Sequence, residues 1–353
     1  MTIDETRPVL VTGGNGYVAS WLVKYLLEDG FDVHATVREP GNKDKVGHLE
    51  QIAAEASGTL TFHAADLFDE NAFDEPMEGC EVVFHTASPF VVSGIYDPQA
   101  ELVDPALQGT ENVLNAVDRV ASVKRVVLTS SVAAIYGDAA DMADEDIDAF
   151  TEAYWNTTSS VSHQPYSYSK TCAERRAWEI AETQNRWQLV TVNPGFVLGP
   201  ALTTASASTS LATMQQFADG TLKMGAPELY FGVVDVRDVA RAHIKAAFTP
   251  GASGRHIVSS ETLSLLEIGA ALRAEFGDDY PFPSRELPKT ALWVVGPLQG
   301  LTRKFIKRNV GHSLAFDNSY TKRDLAMDFR PARESVVAHF QQMLDDGIAR
   351  RRA

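Results

Sequence analysis

Short apolar runs alternate with amphipathic stretches along the first half of the chain. Apolar positions between the runs recur at helical spacing, most clearly over 103–120. Strands that alternate with helices are typical of a parallel sheet with helices on both faces. The pattern therefore predicts an α/β fold with a doubly wound parallel sheet. Its first five strands are predicted at 9–11, 32–37, 60–64, 81–85 and 125–129.

The second half of the chain continues this alternation less regularly. We interpret 229–235 as a strand that returns to the parallel sheet. The main domain is then predicted to comprise 1–194 and about 228–250. A smaller, mostly C-terminal domain, interleaved with it, is predicted to comprise about 195–227 and 251–353. The other elements predicted here are a strand at 185–193 and helices at 170–184, 205–218, 263–276, 290–305 and 335–348.

The composition and net charge of the chain limit the kinds of molecule that it is expected to bind. The 353 residues include 31 Lys and Arg against 47 Asp and Glu, a formal net charge of -16, which repels nucleic acid and anionic lipid. No apolar run reaches the length of a membrane span, and no signal-peptide pattern is present. Two distant cysteines fit a reducing compartment. We expect a cytoplasmic monomer or homodimer that binds a small molecule, with no metal, nucleic acid or membrane partner.

A glycine-containing turn follows the first predicted strand and leads into a helix. Strand, glycine turn and helix, in this order, are what a dinucleotide site requires. Gly13 allows a tight turn, and Gly16 lets a diphosphate approach the backbone at the positive end of the helix. The fold is therefore predicted to be of the Rossmann type. Cofactor contacts are expected from Thr12, Gly13, Asn15, Gly16, Tyr17 and Val18.

The second strand ends in Arg38, where a site for NAD would have a carboxylate for the ribose hydroxyls. A guanidinium offers a planar pair of donors to a 2′-phosphate instead. The sequence therefore predicts NADP(H) as cofactor. Later strand ends and loops are expected to contribute Lys45 near the phosphate, Asp66 and Leu67 at the adenine end, and the small residues Thr86, Ala87 and Ser88 beside the cofactor.

Candidate catalytic residues lie on a predicted helix and at the end of a predicted strand. Tyr166 is the one tyrosine among ten that has a lysine, Lys170, four residues on, so the two share a helix face. Opposite charges about 4 Å apart attract by about 4 kcal/mol at an effective dielectric of about 20, so Lys170 is expected to lower the Tyr166 pKa by about three units. Ser131 follows the fifth strand, at the edge where ligands of parallel sheets bind.

These residues resemble the extended branch of the short-chain dehydrogenase/reductases, in particular its group of dihydroflavonol 4-reductases, cinnamoyl-CoA reductases and fungal methylglyoxal reductases. The resemblance extends over nearly the whole chain and weakens after about residue 281. It implies an NADPH-dependent reductase of aldehydes or ketones, with Ser131, Tyr166 and Lys170 catalytic. The residues that carry it are 12–19, Arg38, Asp66, 85–90, Ser131, Tyr166 and Lys170.

The resemblance also implies roles for residues in the second half. Ser131 is preferred to Ser130 because its separation from Tyr166 fits the group. The smaller domain is expected to bind substrate. Plant flavonoid reductases carry an asparagine where this chain has Tyr136, which argues against a dihydroflavonol. Tyr166 and Lys170 are expected to contact the cofactor, as are Pro194, Gly195, Phe196 and Val197; substrate contacts are expected from Phe90, Val132, Tyr136, Phe196 and Met214.

Two other functions remain open at this point. A nucleotide-sugar epimerase or dehydratase could have the same fold, although Arg38 and the segment 86–90 argue against it. A non-catalytic protein that senses a dinucleotide could also have it. Such a protein has no need of Ser131, Tyr166 and Lys170 together, so their presence favours the reductase.

Overall fold

The computed structural model describes residues 2–89, 95–204 and 209–349. The expected substrate contact Phe90 lies outside the described residues. The strands are β1 (Val9–Thr12), β2 (Asp32–Val37), β3 (Thr59–Ala64), β4 (Val82–His85), β5 (Arg125–Thr129), β6 (Gln188–Pro194), β7 (Phe196–Leu198), β8 (Tyr230–Asp235), β9 (Gly254–Val258) and β10 (Glu261–Ser264).

The helices connect these strands in the order that the hydrophobic pattern predicts for the first half. They are α1 (Tyr17–Glu28), α2 (Lys43–Glu55), α3 (Asp74–Met77), α4 (Asp104–Arg119), α5 (Asp141–Asp144), α6 (Pro165–Glu182), α7 (Thr209–Asp219), α8 (Val236–Phe248), α9 (Leu265–Phe276), α10 (Lys289–Val295), α11 (Arg303–Asn309), α12 (Ser319–Asp324) and α13 (Ala332–Asp345). A π-helical turn, Gln99–Val103, precedes α4.

Seven strands form one parallel sheet in the order β3-β2-β1-β4-β5-β6-β9. Helices α1 and α8 pack on one face, and α4 and α6 pack on the other. Every residue of β1 and β4 is buried, as expected for central strands with both faces covered. The predicted doubly wound Rossmann-type α/β fold is confirmed. The strand order reverses between β1 and β4: β2 and β3 lie on one side of β1, and the later strands lie on the other. Such sheets bind ligands at this point.

The strand predicted at 229–235 exists, but its predicted place in the parallel sheet is wrong. β8 lies between β10 and β7 in a separate three-stranded sheet, and β9 supplies the seventh strand of the large sheet. A short apolar run does not specify which sheet edge it joins, because either environment buries it equally well. The division of the chain into two interleaved domains stays a prediction.

The single helix predicted over 290–305 is also wrong. α10 ends at Val295, a 3₁₀-helix follows over Gly296–Gln299, and α11 begins at Arg303. Pro297 cannot donate a helical hydrogen bond, and Gly300 has a φ of 85°, which directs the chain out of the helix. The two helices therefore form a hairpin whose small core is Leu292, Ile306 and Val310.

Two glycines, one tightly packed between the sheets and one with open space around it, allow a test of the packing between the two sheets. A Cβ on Gly195, which joins β6 to β7, would lie 2.0 Å from the Gly232 carbonyl oxygen in β8. A Cβ on Gly47, within α2, would have no atom within 4 Å. We expect Gly195→Ala to lower the free energy of unfolding by about 1–3 kcal/mol or more through overpacking. Gly47→Ala should raise it by about 0.5–1 kcal/mol, because alanine loses less backbone entropy in a helix.

Urea unfolding of both variants, followed by circular dichroism, measures these changes. Equal stability of the two variants would show that the close approach of Gly195 to β8 is wrong.

Candidate active site

The glycine turn after β1 forms an open anion site at the start of α1. Gly13 has a φ of 64°, and a Cβ there would lie 3.0 Å from the Ala87 Cβ. Gly16 is the N-cap residue, and no side chain caps the helix. The first N–H groups of a helix attract anions when no side chain caps them. The turn, with the Asn15 backbone between its glycines, thus fits the diphosphate of a dinucleotide.

The Thr12 side chain, predicted to contact the cofactor, forms hydrogen bonds that hold the loop after β4 against this turn. Its buried hydroxyl accepts hydrogen bonds from the backbone N–H groups of Thr86 and Ala87, both at 3.1 Å. Its own proton is then available to the His85 Nδ1, 3.0 Å away. Burial, and secondarily Lys170, lower the pKa of His85 to about 3, so the neutral ring can accept. The Thr86 hydroxyl in turn bonds the Thr12 carbonyl oxygen.

Tyr17 and Val18 of α1, both predicted to contact the cofactor, have side chains that are largely occupied by other contacts. The Tyr17 side chain is buried, and its hydroxyl donates to the Gly199 carbonyl oxygen at 2.6 Å. Burial raises the pKa of Tyr17 well above its ordinary value. Its side chain therefore joins α1 to the segment after β7, which leaves only backbone for a phosphate. Val18 is half-buried and packs on the core of this face.

The predicted phosphate-binding residues lie after β2. Arg38 directly follows the strand and is exposed, and Thr36, two residues before it, pairs with Thr12 of β1. Arg38 thus lies on the same sheet edge as the glycine turn. Lys45 is partly committed, since its Nζ lies 2.6 Å from the Glu39 Oε2. Hydrogen bonds from Lys45 and Asn42 lower the pKa of that carboxyl.

Asp66 and Leu67, predicted for the adenine end, follow β3. The Asp66 carboxylate accepts from the Phe68 N–H at 3.0 Å, which closes a local turn. The Leu67 carbonyl oxygen accepts from the Asn112 side chain at 2.7 Å. The Leu67 side chain lines a cavity between the ends of β4 and β5 and helices α4 and α6. That cavity is lined by Leu67, His85, Ala87, Ser88, Pro89, Ala106, Gly109, Thr110, Leu128, Thr129, Ser130, Lys170, Ala173 and Glu174.

Tyr166 and Lys170 occupy the first turns of α6, as predicted. The helix begins at Pro165, which needs no hydrogen-bond partner for its nitrogen. The Lys170 Nζ lies 6.0 Å from the centre of the Tyr166 ring and donates to the Ser88 Oγ at 3.0 Å. The structure therefore brings together the phenol, the ammonium and the loop after β4, which is fastened to the glycine turn.

The predicted lowering of the Tyr166 pKa is wrong for this arrangement. Loss of hydration raises the pKa of Tyr166 above its ordinary value, although the residue as a whole remains 47% exposed. Loss of hydration also lowers the pKa of Lys170 to about 8, and Glu174 acts in the opposite direction. The Lys170 ammonium donates to Ser88, and loss of hydration, not the charge of Lys170, is what shifts the pKa of Tyr166.

The two serines after β5 have different partners. The buried Ser130 hydroxyl donates to the Glu174 carboxylate. The Ser131 Oγ accepts from the Ala133 N–H at 3.1 Å, which caps a 3₁₀-turn, and lies 3.4 Å from the Pro194 carbonyl oxygen. Ser131 is half-buried and Ser130 is buried. These contacts favour Ser131 as the serine that faces a ligand.

The residues 194–197, which are expected to contact the cofactor, lie where β6 passes into β7. The Gly195 N–H donates to the Val258 carbonyl oxygen at 3.1 Å, so this turn is held against β9. Phe196 and Val197, both half-buried, pair with β8. The turn therefore lies beside the Pro194 carbonyl that Ser131 approaches.

The expected substrate contacts separate into two environments. Tyr136 is half-buried, with ring centres 5.3 Å from Phe150 and 5.4 Å from Phe316, and burial, with two nearby aspartates, raises its pKa to about 12. Val132 belongs to the same cluster. Phe196 packs against Phe231 at 5.1 Å. Met214 is fully buried in a separate core cluster, so it presents no surface to a ligand in this arrangement, and its contact with substrate stays a prediction.

Glu174, Asn193 and Arg255 form a buried polar cluster behind α6. Sequence reasoning missed Glu174 and Arg255. Glu174 had a signal, because it continues the four-residue spacing of Tyr166 and Lys170. Arg255 had none, because its strand meets α6 only in the folded chain. The described residues contain no group of three or more His, Cys, Asp or Glu side chains that could hold a metal.

Comparison with known proteins identifies relatives along most of this chain. Residues 9–258 match the NAD dependent epimerase/dehydratase family. A cinnamoyl-CoA reductase, CAD2, from Medicago truncatula is 43% identical over 284 residues, which are 80% of this chain and 82% of that protein. An anthocyanidin reductase, (2S)-flavan-3-ol-forming, from Vitis vinifera is 38% identical over 296 residues, 79% of this chain and 86% of that protein.

The fold also matches solved structures. The yeast methylglyoxal/isovaleraldehyde reductase Gre2, crystallised with NADPH, superposes with a TM-score of 0.75 at 27% sequence identity. The match covers 96% of this chain and 99% of that one. The resemblance expected from the sequence is confirmed.

An isosteric substitution tests whether the Thr12 hydroxyl holds the loop after β4 against the glycine turn. Thr12→Val leaves the Thr86 and Ala87 N–H groups without their acceptor, and an unsatisfied buried donor costs about 1–3 kcal/mol. We expect lower stability in urea and weaker NADPH binding, measured by fluorescence titration. Thr12→Ser keeps the hydroxyl and should retain both properties. Unchanged NADPH binding in Thr12→Val would contradict this role.

Proposed function

The chain belongs to the NAD dependent epimerase/dehydratase family, and from that membership we propose which of its residues carry its reaction. It is an NADP(H)-dependent oxidoreductase that reduces an aldehyde or ketone to an alcohol, as its reductase relatives and the NADPH-bound yeast structure support. The observation that carries our proposal is the position of Tyr166 and Lys170 on one face of α6, with Ser88 of the β4 loop on the ammonium.

We assign the cofactor to the crevice between β1 and β4. Its diphosphate binds the backbone of Gly13, Asn15 and Gly16 at the uncapped start of α1, and Arg38 binds the 2′-phosphate. When bound, NADPH supplies the hydride. The backbone of Thr86 and Ala87, held by Thr12, forms the adjoining wall.

We assign the proton transfer to Tyr166. In the reducing direction its phenol must carry a proton to give to the substrate oxygen. The raised pKa of Tyr166 keeps the phenol protonated at neutral pH, so the group is present in the form a general acid needs. The Ser131 hydroxyl donates a hydrogen bond to the same oxygen. The Lys170 ammonium supplies positive potential where negative charge develops.

For the substrate we propose an aldehyde or ketone with an apolar substituent. The wall available to it beside Ser131 contains Val132, Tyr136 and Phe196, which lie in aromatic or apolar clusters. Such surfaces bind apolar groups through burial rather than through charge. The cytoplasmic location and the choice between monomer and homodimer stay predictions.

One assay tests the reaction against its alternatives. Oxidation of NADPH and of NADH is followed by absorbance with simple aldehydes, 2-oxoaldehydes and β-ketoesters. Turnover of any of these with NADPH supports the reductase. An epimerase or dehydratase would instead convert a nucleotide sugar without net consumption of cofactor, and a sensing protein would bind the dinucleotide without turnover.

The proton-donating role predicts a specific loss. Tyr166→Phe removes the transferable proton and keeps the ring, so kcat should fall by about 10²- to 10⁴-fold, the usual contribution of general acid catalysis. NADPH affinity, measured by fluorescence, should remain nearly intact. Tyr168→Phe, two residues along the same helix, is the matched control and should keep full activity. Wild-type turnover in Tyr166→Phe would refute the assignment.

The cofactor preference predicts a second result. Arg38→Ser removes a charged hydrogen-bond donor, and such bonds contribute about 1.5–3 kcal/mol, so KM for NADPH should rise by about 10- to 100-fold. KM for NADH should change little. Lys45→Ala should have a smaller effect, because Glu39 already holds that ammonium. Equal changes for both cofactors would show that Arg38 does not bind the 2′-phosphate.

A further inference from the structure

A buried carboxylate lies one helical turn beyond Lys170. Glu174 is 1% exposed and shares the helix face of Tyr166 and Lys170. Buried charges in proteins need compensating partners, because removal from water is costly. The Glu174 Oε1 accepts from the Arg255 Nε at 2.6 Å, the Thr191 hydroxyl at 3.2 Å and the Trp178 indole at 3.4 Å; its Oε2 accepts from the Ser130 hydroxyl, the Asn193 Nδ2 at 2.7 Å and the Arg255 Nη2 at 3.4 Å.

Two of these contacts adjoin Ser131. Ser130 immediately precedes it, and the Asn193 Nδ2 also donates to the Ser131 carbonyl oxygen at 3.2 Å. The same carboxylate therefore binds the residue before Ser131 and the amide that holds the Ser131 backbone. Since Glu174 belongs to α6, these hydrogen bonds connect the end of β5 directly to the helix that carries Tyr166 and Lys170.

Arg255 neutralises this carboxylate and is itself fixed. Its guanidinium donates to the carbonyl oxygens of Glu152 at 2.9 Å, Tyr154 at 2.5 Å and Ala134 at 3.3 Å. It also lies over the Trp155 ring, 3.9 Å from the ring centre. A guanidinium with this many contacts has little freedom to move, so Glu174 is held from its far side as well.

We propose that Glu174 is a positioning residue for carbonyl reduction: its carboxylate sets the distance between Ser131 and the Tyr166–Lys170 face, and its charge favours the Lys170 ammonium. The inference rests on the proposed function, because it concerns the same three residues. Nothing in it requires Glu174 to touch substrate or cofactor.

The electrostatic part follows from the groups around Lys170. Those facing it are His85 from β4 and Tyr166 and Glu174 from its own helix, while the α4 residues that line the cavity, Ala106, Gly109 and Thr110, are uncharged. Loss of hydration lowers the pKa of Lys170 to about 8, and Glu174 opposes this. Without the negative charge, the pKa of Lys170 falls further. The ammonium is then lost at a lower pH.

The test compares two carboxylates on one helix. Glu174→Gln removes the buried charge with little change of shape, and Glu182→Gln removes an exposed charge at the end of α6. For Glu174→Gln we expect kcat to fall by about 10- to 100-fold, which corresponds to the loss of one well-placed charged interaction. NADPH affinity should be nearly unchanged, and the alkaline limb of the kcat profile should move to lower pH. Glu182→Gln should match wild type in all three measurements.

A second variant keeps the test decisive if Glu174→Gln fails to fold. Ser130→Ala removes one neutral contact with the carboxylate and leaves the Glu174–Arg255 pair intact. We expect a smaller fall in kcat, unchanged NADPH affinity and an unchanged pH profile, because the charge near Lys170 remains. Trp178→Phe removes the indole hydrogen bond to the Glu174 Oε1, which has no connection to Ser131. This variant should keep wild-type kcat.

Two outcomes overturn the inference. One is a folded Glu174→Gln with wild-type kcat and pH profile. The other is a loss of kcat that parallels loss of thermal stability and NADPH binding in both Glu174→Gln and Ser130→Ala, which would mean a purely structural role. Tyr166→Phe separates this failure from failure of the proposed function: if it is inactive while Glu174→Gln is fully active, only the positioning role is wrong.

Discussion

The parallel pairing of β1 with β4, and of β4 with β5, is the constraint on which the rest of the molecule depends. Parallel strands end at a common edge, so the glycine turn, the loop with Ser88 and the pair Ser130–Ser131 leave the sheet side by side. The strand order reverses between β1 and β4, which separates the helices that follow them and leaves a crevice. Helix α6 then places Tyr166 and Lys170 over this edge.

Buried polar side chains hold the edge together. The Thr12 hydroxyl joins the first turn to the β4 loop, and the Glu174 carboxylate joins the end of β5 to α6. Hydrogen bonds among buried groups are costly to break, because the partner left behind is unsatisfied. They are also directional, whereas apolar packing tolerates small shifts. Groups that never reach the ligand can therefore fix the positions of those that do.

The electrostatics of the site are local. The chain as a whole has a formal net charge of -16, yet the groups on α6 respond to their immediate surroundings. Loss of hydration favours the neutral form of both residues, so the pKa of Tyr166 rises and that of Lys170 falls to about 8. The carboxylate of Glu174 opposes the second shift. A protonated phenol beside a retained ammonium suits proton donation to an oxygen that gains negative charge.

The sequence by itself determined what depends on neighbours along the chain. The order of strands and helices in the first half, the glycine turn and the four-residue spacing of Tyr166 and Lys170 are local patterns, and the structure contains all of them. Even the break near Pro297 had a local cause. Only the tertiary structure decided that β9 rather than β8 completes the large sheet, that Met214 is core, and that Lys170 bonds Ser88. These outcomes, like the Arg255 contact with Glu174, depend on residues far apart in sequence, whose proximity is set by packing and burial that no local pattern encodes.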